Sequence, residues 1–241
     1  MFIKSQYLMV ISFVFLAISF WHRNELPKPS DIHQDLENAP IQKPIKHAEF
    51  AVKVGGKDYF IQPLYDYEIY GMVVSYRVHD ADTGAHLRSG DHLNVADYCV
   101  VWSDSAFEEN LNSISFWNQE WTCNVHVPDM REVSRFDFHK LSNNHLISGD
   151  SSIRDSIRDV KIGDQIKIKG WLSSYRSLHG FMRGTSTTRE DTGSTACETV
   201  YVNDIQILKK HTSNWLILMY LSLAVFLASL VRYFTKPFKL N

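Results

Sequence analysis

Trp215 to Val231 reads WLILMYLSLAVFLASLV, seventeen residues without a charge, and Arg232 closes the run. At about 1.5 Å rise per residue, a helix continued to Phe234 nearly crosses a hydrocarbon core about 30 Å thick. A helix apolar on every side has little use in a water-soluble domain. The run is therefore expected to be a transmembrane helix over residues 211–234, followed by a basic cytoplasmic tail, 235–241. Everything before it is a second membrane segment or a domain held at a membrane.

The N-terminus supplies such a segment. Tyr7 to Trp21, YLMVISFVFLAISFW, follows Lys4 and the free amine. Residues 1–23 read as a transmembrane helix or signal anchor. A cleaved signal peptide is the alternative, with Ala17 and Ser19 at the cleavage site. Bulky Phe20 and Trp21 follow those small residues at once, which favours retention. Two helices place both termini on one side, and a short N-terminal tail usually stays cytoplasmic. The centre of the chain then faces the periplasm or exterior of a bacterial inner membrane. Trp21 and Trp215 suit the interfaces.

Residues 24–45 hold four of the seven prolines, Pro27, Pro29, Pro40 and Pro44. They read as a semi-extended linker. Residues 46–210 are long enough for one domain with a proper core. Aromatics make up 13% of the chain, and Tyr and Val recur in short runs, which favours β structure. Phe50 to Val54 alternates, Gly55-Gly56 follows, and KDYFIQPL continues, a hairpin signal with a type I′ or II′ turn. Further strands are expected over 67–78, with a bend or bulge at Gly71, and over 95–102, 121–127, 165–175 and 197–208. Residues 129–160 carry no strand alternation; one short helix is expected over 151–160, with Ile153, Ile157 and Val160 on one face.

Gly163-Asp164 launching a strand that reaches Gly170, and a final strand with Val202, Ile205, Ile207 and Leu208, together resemble an OB-type barrel. The expected class is mainly β: a small barrel-like domain, OB-type by this resemblance, flanked by the two helices. OB barrels bind many unrelated things.

Cys99, Cys123 and Cys197 lie in the central region. Outside the cytoplasm one pair bridges and one thiol stays free, and the sequence leaves the pairing open. CxxC spacing is absent, which argues against a zinc ribbon or thioredoxin-like site. No Asn-x-Ser/Thr acceptor occurs, which favours a bacterial origin for an extracytoplasmic domain. The net charge of −2 draws no nucleic acid. No P-loop or G-x-G-x-x-G is present.

Four stretches are candidates for chemistry. His79, Asp80, Asp82, His86, Asp91 and His92 fall in one loop, and imidazole with carboxylate suits Zn²⁺ or Mn²⁺. A solvated hairpin loop has the same composition. Asp82-Thr83-Gly84-Ala85 and Asp191-Thr192-Gly193-Ser194 resemble the paired catalytic loops of pepsin-like aspartic proteases. That resemblance implies Asp82 and Asp191 as a proton-sharing dyad; Asp-x-Gly is also an ordinary turn sequence. Arg183, Thr185, Ser186, Thr187 and Arg189 offer guanidinium forks and hydroxyls for a phosphate, carboxylate or sugar, against the reading of a polar loop. The segment Phe116 to Trp121, FWNQEW, is a sugar or protein contact if exposed and core if not. Asn143-Asn144-His145 reads only as a turn.

The leading expectation is a binding or interaction module with no cofactor. Its partners are the lipid bilayer, through two helices, and another membrane or envelope protein. The rival is a metal-dependent hydrolase built on the His79–His92 loop.

Overall fold

A computed structural model describes residues 5–79, 90–178, 180–188 and 197–235. The chain divides into two units, the terminal helices (1–26 with 212–241) and the central domain (27–211).

Among the described residues, two helices are long and apolar enough to cross a membrane, α1 (Ser5–His22) and, at the other end, Asn214–Thr235. They pack on each other. Phe13 meets Phe226, and His22 meets Trp215, so the pair runs antiparallel. The residues buried on these two helices are serines at seven-residue spacing: Ser5, Ser12 and Ser19 on α1, Ser222 and Ser229 opposite. Small side chains at every second turn let two helix backbones approach closely. Ser12 and Ser19 donate to Met9 O and Phe15 O one turn back, so their hydroxyls are satisfied within the helix.

The domain is mainly β. Its strands are β1 (Ile41–Pro44), β2 (Phe50–Val54), β3 (Lys57–Val78), β4 (Asn94–Val101), β5 (Ser115–Gln119), β6 (Thr122–His126), β7 (Leu141–Ile147), β8 (Gln165–Ser177), β9 (Met182–Arg183) and β10 (Cys197–Lys209). One helix, α2 (Ser151–Asp159), lies between β7 and β8; the C-terminal helix is α3. Eight strands share one sheet, and β5–β6 form a separate hairpin. Pairing runs β3–β4–β7–β10–β8, and β8 pairs with β3 again. All of these pairs are antiparallel except β7–β10, which is parallel.

The Gly-Gly hairpin forms as expected. Gly55 and Gly56 take φ of +58° and +75°, the two positive values of a type I′ turn. β3 is a single strand of 22 residues where the sequence suggested two. Its register slips at Pro63/Tyr65 and at Val73/Ser75, and not at Gly71. Gly71 serves close approach instead: a Cβ there would stand 2.3 Å from Val100 Cγ1. Gly170 does the same against backbone, 2.1 Å from Tyr201 O.

Leu141–Ile147, LSNNHLI, is a central strand where a turn was expected. Its Ser, Asn and His side chains are buried with the rest of it. The alternation is polar on both faces, so no hydrophobic period marks it.

The main core gathers Ile69, Tyr98, Val100, Leu146, Ile166 and Val200, with Ile157 and Val160 from the helix segment. Asp150 caps α2, accepting from Ser152 N and Ile153 N. The Tyr98 hydroxyl donates to Ile157 O beneath the helix. A second cluster holds Tyr59, Ile61, Leu93, Ile147 and Tyr175. The Pro-rich stretch is tied to the domain: Leu36 is fully buried, β1 pairs with β3, and Gln165 brackets Asp31 O and His33 N.

Gly170→Ala is expected to lower stability by about 1–3 kcal/mol, because backbone on a paired strand must move. Chemical denaturation of the variant against wild type reads it, with Gly184→Ala losing less, since nothing lies within 4 Å of that position.

Candidate functional site

Along β4, Ala96, Tyr98 and Val100 enter the main core, so Asp97 and Cys99 take the opposite face. Register extends that face across two neighbours. Asp97 pairs with His145 and His145 with Thr199; Cys99 pairs with Asn143 and Asn143 with Cys197. Two rows of polar side chains therefore cross β4, β7 and β10.

Asp97 is fully buried and centres the first row. His145 Nδ1 lies 2.6 Å from its Oδ1, and His79, just past the end of β3, brings Nε2 to 3.0 Å from Oδ2. Asn94 Nδ2 donates to Oδ1 at 3.0 Å. Burial would raise the Asp97 carboxyl, but His145 and His79 outweigh it and hold the group well below the carboxylate range. Asp97 is thus a buried anion held between two imidazoles.

In the second row, the Cys99–Cys123 disulfide joins β4 to the β5–β6 hairpin. Asn143 Nδ2 donates to Trp121 O at 2.9 Å and lies 3.7 Å from the Cys197 sulfur. Cys197 is the free thiol. Burial pushes it up, against a hydrogen bond from Asn143 that lowers it. Arg183 on β9 sets its guanidinium 5.1 Å from the Trp121 ring. Its Nη1 and Asn143 Oδ1 are buried without a hydrogen-bond partner among the described residues.

The sequence candidates distribute unevenly over this frame. Of the metal set, His79 joins Asp97. Asp91 is committed to structure, accepting from Tyr175 Oη at 2.7 Å and from Leu93 N and Asn94 N. His92 serves through its backbone, which contacts Tyr59 and Arg154. Asp80, Asp82 and His86 lie outside the described residues. Among the described residues no group of three His, Cys, Asp or Glu is arranged to hold a metal ion. Asp82 and Asp191, the protease pair, also lie outside them.

In the loop after β9, Arg183 reaches the polar rows, and the hydroxyls bond to backbone. Thr185 Oγ1 accepts from Thr199 N, Thr199 Oγ1 donates to Gly184 O, and Ser186 N donates to Cys197 O. Thr187 O accepts from Gln42 Nε2. The segment straps onto the start of β10; Arg189 is outside the described residues. Trp117 is exposed, whereas Trp121 carries Asn143 and Arg183.

Sequence reasoning missed Asp97, His145 and Asn143. A charge inside the apolar run VADYCVVW was the available signal for the first. The other two sit in the strand that was taken for a turn.

No family model, no curated protein and no solved structure matches this chain.

Asp97→Asn is expected to cost about 3 kcal/mol near neutral pH, since it leaves two buried imidazoles without their anion. The folded pKa lies below the unfolded value of about 3.9, so the unfolded chain takes the proton first. The Asp97 contribution is full above that value and is lost as pH falls below it. Urea denaturation of both proteins from pH 7 to 3 should show the gap closing at the acid end.

Proposed function

We propose that the chain is a membrane-anchored, extracytoplasmic binding module, an accessory component of a bacterial envelope complex. The observation that carries the placement is the Cys99–Cys123 disulfide in a domain flanked by two apolar helices. Disulfides persist in oxidising compartments and are rare in the cytosol. The antiparallel packing of α1 on α3 supports a retained first helix and both chain ends on one side of the membrane.

The strand pairing supports reading the domain as a five-stranded OB-type barrel. β3, β4, β7, β10 and β8 form a cycle of neighbours, the fifth strand in chain order, β10, meets the third, β7, in parallel, and a helix separates the third strand from the fourth. Such barrels present loops at one end to ligands of many kinds. On this reading the segment from Arg183 to Thr187 is the contact surface for a membrane or envelope protein. Nucleic acid is disfavoured by the net charge of −2. The metal-dependent hydrolase needs a resident ion, and metal analysis of the purified chain separates it from the binding module.

Acid-quenched cells, denatured and alkylated with and without reduction, test the placement. One reactive thiol before reduction and three after it are expected. Three before reduction would put the domain in a reducing compartment and overturn the placement. For the contact surface, Arg183→Ala with Thr187→Ala should keep the fold and abolish in-cell crosslinking to the partner; undiminished crosslinking moves the surface elsewhere.

A further inference from the structure

The β5–β6 hairpin lies outside the main sheet, yet it rests on it. β5 packs on β3 and β4, and β6 on β4 and β7. Asn118 Nδ2 reaches Asp97 O at 3.4 Å, the Trp121 carbonyl takes the Asn143 amide, and the Trp121 ring faces Arg183. These contacts fall on the face that carries Asp97, Cys99, Asn143, His145 and Cys197. The hairpin's one covalent tie to that face is Cys99–Cys123. Its non-covalent ties among the described residues include a long amide contact, one good hydrogen bond, a cation–ring contact, the Phe116–Phe136 ring contact and a half-exposed Arg77–Glu120 pair at 3.5 Å. Beneath it lie groups with unused capacity. Asn143 Oδ1 is buried without a hydrogen-bond partner among the described residues, and the His145 side chain is 5% exposed, with Nδ1 facing Asp97. Cys197 is a partly covered thiol in the same row.

We infer that the hairpin from Ser115 to His126 is a lid latched by the Cys99–Cys123 disulfide, and that a dithiol reductant opens it onto a covered thiol–imidazole site made of Cys197, Asn143 and His145. One thiolate of the dithiol attacks a sulfur of the disulfide, forms a mixed disulfide and expels the other cysteine as thiolate. The second thiol of the reductant then closes its own disulfide and expels the remaining cysteine. Two electrons and two protons reach Cys99 and Cys123, and the dithiol is oxidised. With the covalent tie gone, the remaining contacts are those of a locally opening element. The exposed site presents the Cys197 thiol, a group that takes thiol-directed electrophiles and mixed disulfides, next to Asn143 and on the face that also carries His145.

The test uses the full chain in detergent micelles, with diethyl pyrocarbonate as the probe of His145 and peptide mass mapping as the readout. Both dithiol-treated wild type and Cys99→Ser/Cys123→Ser should react at His145 at least about tenfold faster than the oxidised protein, as expected when an opening equilibrium is released. Hydrogen exchange on β8, which is held between β3 and β10, should stay slow. An unchanged His145 rate overturns the lid. So does loss of β8 protection in step with it, since the disulfide would then pin the whole domain. Trp121→Gly with the disulfide intact suits the positive φ of 63° there and removes the ring contact. Its rate should stay within about twofold of oxidised wild type; a rate equal to the double variant's would show that the ring, not the disulfide, holds the lid. This inference is independent of the partner and rests on the Cys99–Cys123 disulfide: three reactive thiols before reduction in quenched cells would remove the latch, whereas an unchanged His145 rate in the purified chain overturns the lid alone.

Discussion

The domain depends on one strand pairing with four others. β3 runs 22 residues, takes β2 and β1 along its first half, holds β8 from Tyr59 to Met72, and turns to β4 from Met72 onward. A strand can only do this if it changes direction without breaking its ladder. The two register slips supply the change, and the bare backbone at Gly71 and Gly170 lets neighbouring chain approach. Where β3 passes from β8 to β4, both of its edges are occupied, and both ends of the β4–β7–β10–β8 series are anchored to the same strand. The main core packs on one face of that arrangement, and the two polar rows lie on the reverse face.

Those rows show how a buried charge is tolerated. Asp97 could not stay ionised on an apolar strand without compensation, since an isolated buried carboxylate neutralises. His145 from the adjacent strand and His79 from the end of β3 compensate it from two directions. The register that pairs Asp97 with His145 also pairs Cys99 with Asn143, so one alignment of β4 on β7 sets the imidazole, the disulfide anchor and the amide that meets Trp121. A one-residue slip would send all of these to the other face.

The parts of this arrangement legible in the sequence were those with an apolar period or a fixed turn chemistry. Gly55-Gly56, the Ile153–Ile157 face of the helix and the Ile166–Ile168 strand announce themselves in this way. β7 does not, because Ser142 and Asn144 alternate with Asn143 and His145, and its burial is satisfied by hydrogen bonds between strands. The candidate sites failed to be legible for a related reason. His, Asp and hydroxyl residues were grouped by nearness in sequence, whereas Asp97, His145 and Cys197 meet through strand register across long separations. The end helices were legible from composition alone; that they face each other through serines seven apart needed the packing.

The parallel pairing of β7 with β10 carries a consequence for how the protein is made. β10 ends at Lys209 and α3 begins at Asn214, so the strand that completes the sheet leaves the ribosome immediately ahead of the last apolar helix. Until it does, β7 has a bare edge, and His145 and Asn143 lack their β10 neighbours. Completion of the sheet and emergence of the second long apolar helix are therefore nearly one event. During the interval before it, the nascent chain displays an incomplete sheet with an unpaired edge.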